Sequence, residues 1–340
     1  MKKTISCLLL VIMLLLITAC GNQGTKPQEK AGPAQVAEGP IVFKLGHVQT
    51  ADHPYQKGAE KFKELVEKKS NGKIRVDIFP SSQLGGTREQ MEGLQLNTVQ
   101  FSICSVSQLG TFVPGFMAFT LPYIFRDAEH AEKVTDGEIG KSLVAQLESK
   151  KIKNMFFWAN GWRHMTNNVR PIKNVEDVKG MKLRVQEAPI FVSFIKSIGA
   201  VPSVIPFGEL YSALEQKVVD GQENPFAQIA TSKLYEVQKY LSFTAHTYDI
   251  AIFAMSKTAF DKLPKDLQTV VEDASKEAGL FERQYAKSME SEYLKQLRDN
   301  KMQIEENVNL DSFRKAAQAV YKEQEAKIGK DLIEKIINTK

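Results

Sequence analysis

Residues 41–80, IVFKLGHVQTADHPYQKGAEKFKELVEKKSNGKIRVDIFP, read as strand, helix, strand. IVFKLGHV (Ile41–Val48) has the apolar content of a strand, and Ala59, Phe62, Leu65 and Val66 then recur at helical spacing until Asn71-Gly72 stops the helix. KIRVDIFP alternates apolar and polar residues and is ended by Pro80. The unit repeats at once: the turn QLGG (residues 83–86), a helix in TREQMEGLQLNT (87–98) and an apolar strand in VQFSIC (99–104). Strands that alternate with helices predict an α/β fold with a largely parallel sheet. Each crossover then leaves loops at the carboxyl ends of the strands, where ligands collect in such sheets.

Further along, FTLPYIFRDAEHAEKV (119–134) and a helix near IGKSLVAQLESK (139–150) lead to a strand in IKNMFFWAN (152–160). A second set follows: RHMTNNVRPI (163–172), the strand MKLRVQ (181–186), the helix PIFVSFIKSIG (189–199), the short strand VPSVI (201–205) and the helix FGELYSALEQKVVDG (207–221). YDIAIFAMSKTAF (248–260) is again strand-like, and from Pro264 to about Asn300 the pattern is helical with no internal proline. At 1.5 Å per residue that helix is roughly 50 Å long, enough to brace two domains.

At the other end, MKKTISCLLLVIMLLLITAC (1–20) has two lysines, an unbroken apolar run from Leu8 to Ile17 and small residues before a cysteine. The run is shorter than the roughly 20 residues of a spanning helix, so it reads as a secretory signal peptide. ITAC resembles the lipobox of bacterial lipoproteins, which makes residues 1–19 the leader and Cys20 the lipidated first residue; the alternative is an ordinary signal peptide with an incidental cysteine. Residues 20–40 lack aromatic residues and form a flexible tether. Cys104 is then the one thiol left, so no intramolecular disulfide can hold the exported fold. The net charge of +5 is spread along the chain, which points away from nucleic acid.

Arg184 stands mid-strand in KLRVQ, on the face opposite Leu183 and Val185. A guanidinium there must be solvated at a sheet edge or paired, because an unpaired buried charge costs several kcal/mol. Arg163 follows a strand and a glycine between Trp158, Trp162 and His164, a position for ligand contact or for stacking on tryptophan. Asn224 precedes a proline that holds it extended, leaving an amide that can donate and accept. The five histidines, His47, His53, His130, His164 and His246, have no metal-ligand spacing, and neither HExxH nor GxSxG occurs, so neither a metal nor a catalytic site is expected. Of His47 and His53, one is read as a pocket contact and the other as a surface residue. Cys104 in an apolar strand reads as inert packing.

GWRHMTNNVRPI, VKGMKLRVQ, VPSVIPFGELYSALEQKVVDGQENPFAQI and LPYIFRD together resemble the solute-binding proteins of tripartite ATP-independent periplasmic (TRAP) transporters, over nearly the whole chain from Ile41. The resemblance implies two α/β lobes that close over an organic anion: residues 41–161 with 249–288, and 162–248 with 289–340. It implies Arg184 as the bidentate carboxylate ligand, Arg163 as a second cation, Asn224 as the orienting amide and Phe207 as an aromatic packed on the ligand. Ser105 and Gln108 stand where sialic-acid binders carry a glutamate and an arginine. GHVQTADHP, NGWRH and TAHTYD look more like the branch that takes sugar acids such as glucuronate or galacturonate, which makes His47, Gln49, His164 and His246 candidate hydroxyl partners; C4-dicarboxylate binders share most of the same motifs. The implied partners are a small organic acid and the membrane subunits of a TRAP transporter, with no ATP or redox cofactor. A receptor that presents its ligand to a membrane sensor kinase would use the same cleft, and a surface enzyme is the remoter alternative.

Overall fold

The computed structural model describes residues 39–340; the leader, Cys20 and the tether up to residue 38 lie outside the described residues. Among the described residues nine strands form one sheet: β1 (Ile41–His47), β2 (Ile74–Phe79), β3 (Phe101–Ser105), β4 (Ile152–Asn167), β5 (Lys182–Val185), β6 (Val201–Val204), β7 (Gly221–Asn224), β8 (Tyr240–Ser256) and β9 (Gln303–Glu305). Their order is β2-β1-β3-β8-β4-β7-β5-β6, with β9 pairing β8. Two strands are far longer than the rest, β4 with 16 residues and β8 with 17. They pair antiparallel from Ile152↔Ser256 to Asn167↔Tyr240, a two-stranded ribbon that runs through both lobes. One end of the ribbon carries β3, β1 and β2; the other carries β7, β5 and β6.

Within each lobe the strands are parallel, as the strand-helix alternation requires. The joints to the ribbon, β3 to β8 and β7 to β4, are antiparallel, so the sheet is mixed rather than largely parallel. IKNMFFWAN and RHMTNN, read from sequence as separate segments, are one continuous strand. Gly161 between them does not end it. The residue adopts φ 103° at one of three register shifts, between Ala159 and Gly161, where an extra residue bends the strand without breaking the ladder.

The helix foreseen after Pro264 spans Lys265–Asp299, 35 residues. Leu267, Val271, Ala274 and Ala278 join the core of the first lobe with Phe62, Phe101, Trp158 and Phe253, whereas Tyr293 and Leu297 join a second cluster with Leu210, Ile229 and Leu241. Close approach needs a glycine: a Cβ on Gly279 would lie 2.1 Å from the Phe156 ring. Midway along the helix, Glu282 accepts from the Ala159 N–H at 2.9 Å, and Arg283 donates to the Phe157 carbonyl at 2.8 Å and grips Asp136 at 2.7 and 2.8 Å. The brace is therefore fastened to β4 where the ribbon bends.

Candidate ligand-binding site

Between the lobes lies a cleft of ≈ 90 Å³ whose lining includes Gln49, Tyr55, Ser105, Gln108, Asn160, Arg163, Arg184, Gln186, Phe207, Asn224 and Gln228. Strand β5 lies between β6 and β7, so Arg184 is not at a wet edge; it is 1% exposed. Its Nε donates to the Ile205 carbonyl at 2.8 Å, and among the described residues neither terminal nitrogen has a partner. Burial, reinforced by the neighbouring Arg163 charge, pulls its pKa from 12.5 down to about 10 even though Glu223 opposes the shift. The Phe207 ring centroid lies 5.8 Å from the guanidinium carbon. The result is a desolvated fork whose terminal nitrogens make no hydrogen bond to the described residues, the shape that binds a carboxylate through two parallel hydrogen bonds.

Arg163, on β4 and equally buried, is in the opposite condition. It donates Nε to Glu223 Oε2, Nη1 to Asp249 Oδ2 at 2.7 Å, and Nη2 to the Glu223 carbonyl (2.7 Å), Glu223 Oε1 (2.8 Å) and Asn224 Oδ1 (3.1 Å). Burial works against this charge, but the two carboxylates outweigh it and hold the group above its ordinary pKa. Burial alone would raise Glu223, and Arg163 with His246 reverses that and brings it to about 2. Asp249 is pushed up by burial while three donors favour its ionised form: Arg163, Ser105 Oγ at 2.7 Å and Asn160 Nδ2 at 2.7 Å. Arg163 is thus bound on three sides by the protein itself while it lines the cleft, and among the described residues its terminal nitrogens are paired where those of Arg184 are not.

The remaining candidates divide. Gln49, Ser105, Gln108, Phe207 and Asn224 line the cleft with the arginines. His47, His164 and His246 do not, because each ring is engaged elsewhere. His47 Nε2 meets Gln56 Oε1 at 2.9 Å; His164 stacks on Phe226 at 4.5 Å and accepts from the Ala245 N–H; His246 bonds Thr244 on one nitrogen and Glu223 on the other. Burial lowers His47 to about 4 and His164 to about 3, and lowers His246 as well, so none adds positive charge at neutral pH. His53 is no surface residue: it is 1% exposed, and its Nδ1 caps the helix Pro54–Lys69 by accepting from the Tyr55 N–H.

Residues not singled out from the sequence complete the lining, among them Tyr55, Asn160, Gln186 and Gln228. Position was the available signal: Tyr55 follows the carboxyl end of β1, and Asn160 lies where β4 leaves the first lobe. At the mouth, Arg88 of the helix Thr87–Leu96 reaches Glu187, just past β5, at 3.1 Å, and Gln108 donates to Gln186 at 3.3 Å.

The sequence profile described as "Bacterial extracellular solute-binding protein, family 7" matches residues 45–327. The chain belongs to this family. This receptor is 40% identical over 261 residues to the C4-dicarboxylate-binding periplasmic protein DctP of Rhodobacter capsulatus, covering 76% of this chain and 78% of that one. Its fold superposes with a TM-score of 0.86 on a TRAP periplasmic solute-binding protein from Polaromonas sp. JS666 bound to D-erythronate (37% identity, 88% of this chain and 99% of that one). The TM-score is again 0.86 on the sugar acid binding protein of Advenella mimigardefordensis in complex with galactonate (33% identity, 88% and 98%). The receptor therefore has the two-lobe fold of the extracytoplasmic organic-acid receptors of TRAP transporters.

Proposed function

We propose that this receptor captures a hydroxylated monocarboxylate, a sugar acid rather than a C4-dicarboxylate, and hands it to the membrane subunits of a TRAP transporter. Arg184 carries the reading: it is the one buried guanidinium in the cleft lining whose terminal nitrogens have no partner among the described residues. A second carboxylate would need a second such cation. The other cations in the lining are Arg163, already consumed, and Arg88, which sits exposed at the rim between Glu92 and Glu187. The remaining polar lining is amides and hydroxyls, suited to a ligand's hydroxyl groups. The relatives seen with galactonate and D-erythronate support this choice, and the C4-dicarboxylate-binding relative is the competing precedent.

The lobes we assign are residues 41–161 with 249–288 and residues 162–248 with 289–340, hinged where Gly161 pairs with Asp249. Capture proceeds by hinge closure, which removes the carboxylate and Arg184 from water together. A lipid on Cys20 holds the receptor at the outer face of the cell membrane through the tether. Micromolar affinity corresponds to about −8 kcal/mol, within reach of one desolvated bidentate pair and several hydroxyl bonds after ordering costs. Calorimetric titration with glucuronate, galacturonate, galactonate, malate and succinate tests the reading, after removal of co-purified ligand by unfolding and refolding. Heat from sugar acids and none from succinate is expected; tighter binding of succinate than of every sugar acid would overturn it.

A further inference from the structure

A buried polar atom without a partner costs about 1–3 kcal/mol and calls for an explanation, which at the wall of a cleft is a ligand's complementary group. Among the described residues, three such side-chain atoms belong to residues of the cleft lining: Gln49 Oε1, Tyr55 Oη and Gln228 Oε1. Gln228 has an internal explanation. Asp249 accepts only, so Asn160 must turn its nitrogen to it; the Asn160 oxygen then takes the Gln228 N–H, and the remaining Gln228 oxygen is left beside the His53 ring. His53 Nδ1 accepts from a backbone amide, so its proton is on Nε2, available to Gln228.

Gln49 Oε1 and Tyr55 Oη have no hydrogen-bond partner among the described residues. They are 5% and 1% exposed. The Tyr55 ring is immobilised edge-on against His53 (4.7 Å, 81°) and Trp158 (6.4 Å, 72°), which fixes where its hydroxyl points. Burial and the Asp249 charge keep the phenol protonated, so it remains a donor.

We infer that Tyr55 and Gln49 form the subsite that reads hydroxyl groups on the ligand, the part of the acid not held by Arg184, and so set selectivity for hydroxy acids over dicarboxylates. The inference rests on the carboxylate reading of Arg184. A carboxylate only accepts: it can take the Tyr55 proton but leaves the Gln49 oxygen unmade and faces it with like partial charge. A polyol chain both accepts from Tyr55 and donates to Gln49, through one hydroxyl or two.

Calorimetry on the ligand-stripped protein with D-galactonate, D-glucuronate, D-erythronate and succinate tests this against Tyr55→Phe, Gln49→Leu and Arg184→Ala. Tyr55→Phe keeps the ring and its packing, so the ligand-free variant should melt no lower than the parent. It should lose affinity for hydroxy acids and for succinate alike, because a carboxylate also accepts from the Tyr55 hydroxyl. Gln49→Leu should lose about tenfold more affinity for the best hydroxy acid than for succinate, about 1.4 kcal/mol of selectivity. Equal loss for hydroxy acids and succinate in Gln49→Leu, or no loss in either variant, would overturn the subsite while leaving Arg184 standing. If instead Arg184→Ala bound every acid as the parent does, the carboxylate reading would fail, and the subsite inference with it.

Discussion

Arg163→Ala and Arg184→Ala remove the same side chain from equally buried positions, yet their expected effects on stability are opposite. Arg163 neutralises Glu223 and Asp249, both 0% exposed, and its loss strands two carboxylates in the interior. Removing one partner of such a pair typically costs about 3–5 kcal/mol, a large share of the roughly 5–15 kcal/mol that holds a domain folded. Arg184 has one protein hydrogen bond, to the Ile205 carbonyl, and burial depresses its pKa from 12.5 to about 10. At 1.36 kcal/mol per unit, keeping that guanidinium charged in the ligand-free protein costs about 3 kcal/mol. Its removal relieves that cost and forfeits one hydrogen bond and some packing, so ligand-free Arg184→Ala should be about as stable as the parent or more so. Binding reverses the ranking. Truncating the arginine of a desolvated carboxylate pair costs about 2–5 kcal/mol, or roughly 30-fold to several thousand-fold in affinity. Urea unfolding of both ligand-free variants, followed by titration with the best sugar acid, makes the comparison. A strongly destabilised Arg184→Ala that still binds, or an Arg163→Ala as stable as the parent, would refute the division of roles.

Three further outcomes are expected. Burial raises Glu282 from 4.5 to about 8 against the pull of the Ala159 N–H, so the folded state holds this proton more tightly than the unfolded chain does. That stabilisation is fully present below about pH 4.5 and lost as pH rises through 8, up to about 5 kcal/mol; Glu282→Gln should flatten this part of the stability–pH curve, and an unchanged curve would clear Glu282 of the effect. Gly161→Ala should lower stability by about 1–3 kcal/mol in thermal unfolding through its left-handed backbone alone, because the added Cβ would sit an ordinary 3.6 Å from Pro225; an unaltered melting temperature would mean that the bulge tolerates a side chain. Arg88→Ala breaks the exposed pair with Glu187 across the cleft mouth, and stopped-flow should show ligand release quickened only a few-fold at low salt, with the difference fading at high salt.

The strand-helix alternation and the long helix were legible because each rests on periodicity, a local property of the chain. The ribbon was not. Gly161 looked like punctuation because a glycine after a strand usually ends it, and only the partner strand decides that this one is a bulge. The first half of β8, YLSFTAHTY, was missed for a related reason: Ser242, Thr244, His246 and Thr247 are buried polar residues, and a strand whose inward face is polar shows no apolar alternation.

At the site, Arg184 declared itself because a cation inside a strand is expensive wherever it lies. Arg163 declared the same expense, but its answer lies 60 and 86 residues away in Glu223 and Asp249, and nothing local distinguishes an arginine with two carboxylates from one with none. The partners of the histidines were no more legible, since position along a strand does not tell which groups a ring will find. The consumption of Arg163 has a functional consequence. It ties β4 to β7 and β8, and through Asp249 to Ser105 on β3, so the node joins strands of both lobes at the ribbon's bend. Its charge is spent holding that crossing together. A cleft with two free guanidinium groups would favour a dianion; on the reading proposed above, with Arg163 committed to the scaffold, what separates one organic acid from another passes to the neutral groups, Tyr55 and Gln49 first among them.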